Sequence, residues 1–105
     1  MAIDAFILGM VTSRYHNKYL LADLGYAHFL NGNMENALKY YQLVLHYTPD
    51  YSVVHYYLGL WYLKQNDLNG AYQAFYNAHY LYPKNKIYEE QLKKIIKQKE
   101  GLPHD

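Results

Sequence analysis

The sequence predicts an all-α protein built as a stack of antiparallel helix pairs, and three observations predict it. Apolar residues recur at i, i+3, i+4 and i+7 through most of the chain. The stretch LGYAHFLNGNMENALKYY, Leu24 to Tyr41, returns 34 positions later as LGLWYLKQNDLNGAYQAF, Leu58 to Phe75. What returns is small or structural: Leu24 and Leu58, Gly25 and Gly59, Ala37 and Ala71, Tyr41 and Phe75, then Pro49 and Pro83. Polar positions drift between the copies, as solvent-facing positions do.

The elements follow in order. Residues 1–16 predict an N-terminal helix, apolar nearly all round, with Ile3, Ile7 and Met10 in the register places of Ala37, Tyr41 and Val44. Such a helix requires burial. It serves either as a cap on the Tyr19–Leu30 helix or as a half-repeat that pairs with another chain through Ile3, Phe6, Ile7 and Met10. The second case allows the chain to be a fragment of a longer array.

Residues 18–51 form the first repeat. One stripe carries Leu20, Leu21, Leu24, Ala27 and His28; the other carries Met34, Ala37, Leu38, Tyr41, Val44 and Leu45. The NGN turn at Asn31–Asn33 suits a left-handed cap at Gly32, and Pro49 stops the second helix. Residues 52–85 repeat the scheme, with helices near Ser52–Gln65 and Leu68–Leu81 and QND at the turn. Residues 86–100 predict an amphipathic capping helix, with Tyr88, Leu92, Ile95 and Ile96 on one narrow stripe. Residues 101–105 are a tail.

Composition bounds the function. A chain of 105 residues is one domain, and a formal net charge of +1 gives no field to draw nucleic acid. Six of the ten basic residues lie between Lys84 and Lys99, which reads as the solvated face of the cap. The absence of cysteine excludes a disulfide framework and thiol chemistry. No apolar run approaches the roughly 20 residues of a membrane span, so the expectation is a cytoplasmic protein without a membrane partner. The 15 tyrosines stand out, because aromatic rings serve both cores and contact surfaces.

Catalytic chemistry is not expected. The six histidines (His16, His28, His46, His55, His79 and His104) form no metal-ligand spacing, and neither a phosphate loop nor a nucleophile elbow occurs. The expectation is therefore a non-enzyme with neither metal nor cofactor.

The two blocks resemble tetratricopeptide repeats, a family with a 34-residue period. The signature reads Leu21, Leu24, Gly25, His28, Ala37, Tyr41, Pro49 and then His55, Leu58, Gly59, Tyr62, Ala71, Phe75, Pro83. The tryptophan place of the family holds Leu21 and His55, and His28 stands where a ring is common. The resemblance implies an α-solenoid, a right-handed superhelical stack closed by capping helices. It also implies a concave groove lined by the first helix of each repeat.

Carried onto this chain, the groove positions are Tyr19, Asp23, Tyr26 and Leu30, then Val53, Tyr57, Leu60 and Lys64, extended by Glu90 and Lys94. These are not the lysines, asparagines and arginine with which some members clamp a terminal carboxylate. They suit an extended segment of another protein with apolar anchors, bound by an adaptor or chaperone-like module. The alternative is a scaffold that forms a homo-oligomer through the N-terminal helix or the repeat ends. The low charge of residues 1–83, four basic and five acidic, favours that alternative.

Overall fold

Among the described residues, sequence register and backbone geometry coincide at the turns between helices. A computed structural model describes residues 17–101, so the expected helix at residues 1–16, with Ile3, Phe6, Ile7 and Met10, and most of the 101–105 tail lie outside the described residues. Within them the chain is all-α, with five helices and no strand: α1 (Lys18–Leu30), α2 (Met34–Tyr47), α3 (Ser52–Lys64), α4 (Leu68–Leu81) and α5 (Lys86–Glu100). Each helix packs against the next one along the chain.

The punctuation between helices repeats at the 34-residue interval. Gly32 ends the first pair's turn at φ +82°, and Asn66 ends the second at φ +59°. Glycine enters that left-handed region freely, and asparagine is among the few other residues that tolerate it. Thr48 and Tyr82 close α2 and α4 with nearly the same dihedrals, φ −138° with ψ 76° and φ −137° with ψ 77°. Both precede a proline, whose ring drives the preceding residue out of the helical region.

Packing explains why the small residues return. A Cβ placed on Gly25 would sit 2.6 Å from Cε1 of Tyr41, and one on Gly59 would overlap the Phe75 ring more closely still. In each pair, a ring from the second helix packs against the bare backbone of the first. Tyr41, Phe75, Ala37 and Ala71 are all fully buried. One core cluster joins Leu21 and Ala22 of α1 through α2 to Val54 and Leu58 of α3; a second joins Ala71 and Phe75 of α4 to Leu92 and Ile95 of α5.

Several stripe positions differ from expectation. On α1 the buried residues are Leu21, Ala22 and Gly25, whereas Leu20 and Ala27 are exposed. The α1 helix is covered on two sides, by α2 and by α3, so its buried arc is rotated toward Ala22 and Gly25. On α2 the buried set includes Tyr40, which the stripe omits. On α5, Tyr88, Leu92 and Ile95 are buried but Ile96 is 38% exposed. Lys93 occupies on α5 the register place of Gly25 and Gly59, and its ammonium pairs at 2.9 Å with Glu89. No helix of the described residues is long and apolar enough to cross a membrane.

Candidate functional site

The side chains that α1 and α3 present beside one another are mostly rings. Tyr26 of α1 stacks on Tyr57 of α3 with centroids 4.6 Å apart and planes 11° from parallel. Tyr26 also stacks on Phe29 one turn further along, at 6.0 Å. Nearer the helix starts, Tyr19 meets Tyr51 edge to face at 5.8 Å and 90°. Tyr56 bridges onward to Tyr88 of α5 at 5.5 Å. Offset stacks and edge-to-face contacts are the arrangements that the ring quadrupole favours. The result is a chain of ring contacts, Tyr26–Tyr57–Tyr56–Tyr88, across three helices, with the Tyr19–Tyr51 pair nearer the helix starts.

Its electrostatics are simple. Burial, then the charge of Asp23, then the neighbouring tyrosines push the Tyr57 hydroxyl above its ordinary value; burial, then Tyr19 and Asp23 do the same for Tyr51. Burial followed by Tyr26 and Tyr88 acts on Tyr56. These hydroxyls therefore stay protonated across the physiological range and can donate hydrogen bonds. Asp23 is exposed and makes no ion pair among the described residues.

Below the Tyr19–Tyr51 corner lies a cleft of about 460 Å³, walled by Tyr19, Tyr51, Val53, Tyr82 and Tyr88, with Asp50 and Lys18 at its edge. Ser52 Oγ and Tyr88 Oη share a buried hydrogen bond of 3.2 Å in its floor. The Lys18 ammonium stands 5.4 Å from the centre of the Tyr19 ring and 5.0 Å from that of Tyr51. Both distances are within cation–π range.

Tyr51 holds an unexpected position. It is the N-cap of α3, in register with Asn17 before α1 and Asn85 before α5. Both asparagines cap with the side chain, each accepting a backbone N–H at 3.1 Å, from Leu20 and from Tyr88. Tyr51 makes no side-chain cap. Lacking such a cap costs a helix about 1 kcal/mol, and in return the ring joins the aromatic surface and packs on the core.

The expected groove residues divide into two groups. Tyr19, Tyr26 and Tyr57 belong to the ring surface, Val53 lines the cleft, and Asp23 is the acid beside them. Leu60 is half-buried against the second core cluster. Leu30, Lys64, Glu90 and Lys94 are exposed and take no part in the ring contacts. Lys18, Tyr51 and Tyr56 were absent from the expectation, and Tyr88 was expected only on the stripe of the capping helix. The signal that could have found Tyr51 was a tyrosine standing where the same register has asparagine twice.

Among the described residues, no three histidine or carboxylate side chains gather closely enough to hold a metal ion. No protein-family model matches the chain, and no curated protein matches it.

Proposed function

We propose that this chain is a non-catalytic protein–protein interaction module of the tetratricopeptide-repeat type. In this reading α1–α2 and α3–α4 are successive repeats of a right-handed solenoid, and α5 caps it, with Lys93 barring the close approach that glycine permits in the repeats. The first helices line the concave side, and that side takes an extended segment of another protein. One observation carries the proposal: the rings that α1 and α3 bring together, Tyr26 stacked on Tyr57 and, nearer the helix starts, Tyr19 edge to face with Tyr51. Rings of this kind offer large contact area and a donor hydroxyl at little cost in side-chain entropy.

Two or three apolar anchors would each contribute ~1.5–3 kcal/mol on burial. Association itself costs several kcal/mol in lost freedom, which leaves micromolar binding at roughly −7 to −9 kcal/mol. The test begins with selection of a binder from a random peptide display, followed by calorimetric titration. Tyr57→Ala should lose at least ~1–2 kcal/mol of the binding energy. If Tyr57→Ala and Tyr26→Ala both bind the selected peptide as the parent chain does, the groove reading is wrong.

Self-assembly is the second reading, favoured by the exposed tyrosine row on α4. Tyr72, Tyr76 and Tyr80 stack in succession at 6.1 and 6.4 Å, and Tyr76 and Tyr80 are 43% and 73% exposed. Light scattering on the eluted protein separates the two: a monomer favours the peptide groove, and a dimer abolished by charged substitutions at Tyr76 and Tyr80 favours assembly through this row.

A further inference from the structure

The corner between Tyr19 and Tyr51 already holds a cation. Two rings at right angles present one face and one edge, and the ammonium of Lys18 lies within cation–π reach of both. It is held there by the rings alone, since Lys18 makes no ion pair among the described residues. Lys18 opens α1, and its long stem leaves the head free to swing away. The carboxylates nearby, Asp23 on α1 and Asp50 at the cleft edge, are likewise without a cationic partner among the described residues. One half-buried cation and two unpaired acids thus surround a ring corner and a cleft of about 460 Å³.

The departure at Tyr51 points the same way. Where Asn17 and Asn85 cap their helices, the chain here forgoes the cap and sets a ring beside Tyr19. A local rule broken at one of three equivalent places is the kind of conflict that marks a functional position. Without the Tyr51 ring, the corner has one wall.

We propose that the Tyr19–Tyr51 corner is a subsite for a basic side chain of the bound segment, an arginine above all, with Asp23 as its counter-charge and Lys18 as the occupant of the empty site. The proposal rests on the groove reading and narrows it to segments in which a basic residue lies beside the apolar anchors. Arginine fits better than lysine because its planar, weakly hydrated guanidinium stacks on rings and forks onto a carboxylate at once. On binding, the Lys18 head moves out into solvent and the guanidinium takes its place, so no charge is left unmatched. The apolar anchors are insensitive to salt, whereas this subsite is screened by it.

The probes are N-acetyl-arginine amide and its uncharged counterpart N-acetyl-norleucine amide, titrated at low salt into full-length chain carrying ¹³C-labelled tyrosine. The arginine probe should shift the ring signals of Tyr19 and Tyr51, and the norleucine probe should leave them in place. Asp23→Asn should weaken the arginine probe by up to about fivefold, the worth of an exposed ion pair. Lys18→Met should bind it at least as tightly as the parent chain, because the resident cation is gone. Tyr51→Asn restores an asparagine cap and so keeps α3 folded, and it should abolish the shifts at Tyr19. Equal binding of the two probes, or arginine binding unchanged by Asp23→Asn, overturns the subsite. Should a selected apolar peptide still depend on Tyr57 in that event, the groove stands and only the cation subsite falls. Should the arginine probe bind the corner while no apolar peptide depends on Tyr57, the groove falls and the corner remains.

Discussion

The two helix pairs solve one packing problem in two ways. In the pair α3–α4, Tyr62 of α3 lies over Gly70, where an added Cβ would come within 2.5 Å of the ring, and the facing residue is Ala74. In α1–α2 the same three register places hold His28, Asn36 and Tyr40. The large ring has moved from the first helix to the second: Tyr40 is 3% exposed, and the smaller His28 ring stacks on it at 5.3 Å. Interiors are packed to the density of organic crystals, so the ring of Tyr40 leaves room on α1 for a smaller ring than Tyr62. The difference teaches that either helix of a pair can supply the large buried ring of this layer.

A second contrast lies one layer away. Tyr41 and Phe75 fill the same place against Gly25 and Gly59, and both are fully buried. Only Tyr41 carries a hydroxyl, and that oxygen is buried with no hydrogen-bond partner among the described residues. Burial, then the charges of Tyr57 and Tyr26, hold it far above the ordinary tyrosine value of 10.0.

The largest expected effect tests whether the two layers are equivalent. Tyr41→Ala and Phe75→Ala should each cost about 3–5 kcal/mol in chemical denaturation, since each empties the space over a glycine. If one is tolerated and the other is not, the pairs are not structural equivalents.

The ring exchange comes next. Helix propensity alone would make Gly70→Ala stabilising by about 0.8–1 kcal/mol. The overlap with Tyr62 should reverse that sign and give a net loss of about 1–2 kcal/mol, within the range found for overpacked sites. Tyr62→His, which imports the first pair's solution, should relieve the overlap. The double-mutant cycle should therefore show a favourable coupling of about 1 kcal/mol. Additive effects would mean that Tyr62 and Gly70 do not share a layer.

The smallest effect sharpens the contrast between Tyr41 and Phe75. Tyr41→Phe removes a buried, unpaired hydroxyl and should gain about 1 kcal/mol. Its pH dependence follows from the raised value. Below pH 10 the hydroxyl is protonated in both the folded and the unfolded chain, and the full stability is present. Above that, the unfolded chain ionises first, so stability falls by about 1.4 kcal/mol per pH unit until the folded group ionises too. Tyr41→Phe should show a shallower alkaline loss than the parent chain, and parallel curves would show that Tyr41 ionises alike in both states.

Much of the fold was legible because periodicity reports which face of a helix is dry. The expected helices at Ser52–Gln65 and Leu68–Leu81 match α3 and α4 to within one residue, and α5 starts at Lys86 as the register requires. Gly25, Gly59, Ala37 and Ala71 were legible because close approach leaves room for little else. The burial of Tyr40 was not, since spacing cannot say which of two helices fills a gap. Of the site, Tyr19, Tyr26 and Tyr57 were readable from the 34-residue phase. Tyr51 lies at a helix cap rather than on a stripe, and Leu60 turns toward α4 because a partly covered helix has no sharp boundary between inside and groove.

The central claim is that the α1–α3 tyrosine surface, and not the α4 row, is where a partner segment lies. Both are rich in tyrosine, half-buried on the first surface except for Tyr19 and exposed at Tyr76 and Tyr80 on the second, so composition does not separate them. The direct measurement replaces Tyr57 or Tyr76 with a photoreactive benzoylphenylalanine and irradiates each protein with the display-selected peptide. Cross-linking from position 57 with little from position 76 is the predicted result. Cross-linking from position 76 with none from position 57 would place the partner on the outer face of α4 and contradict the account.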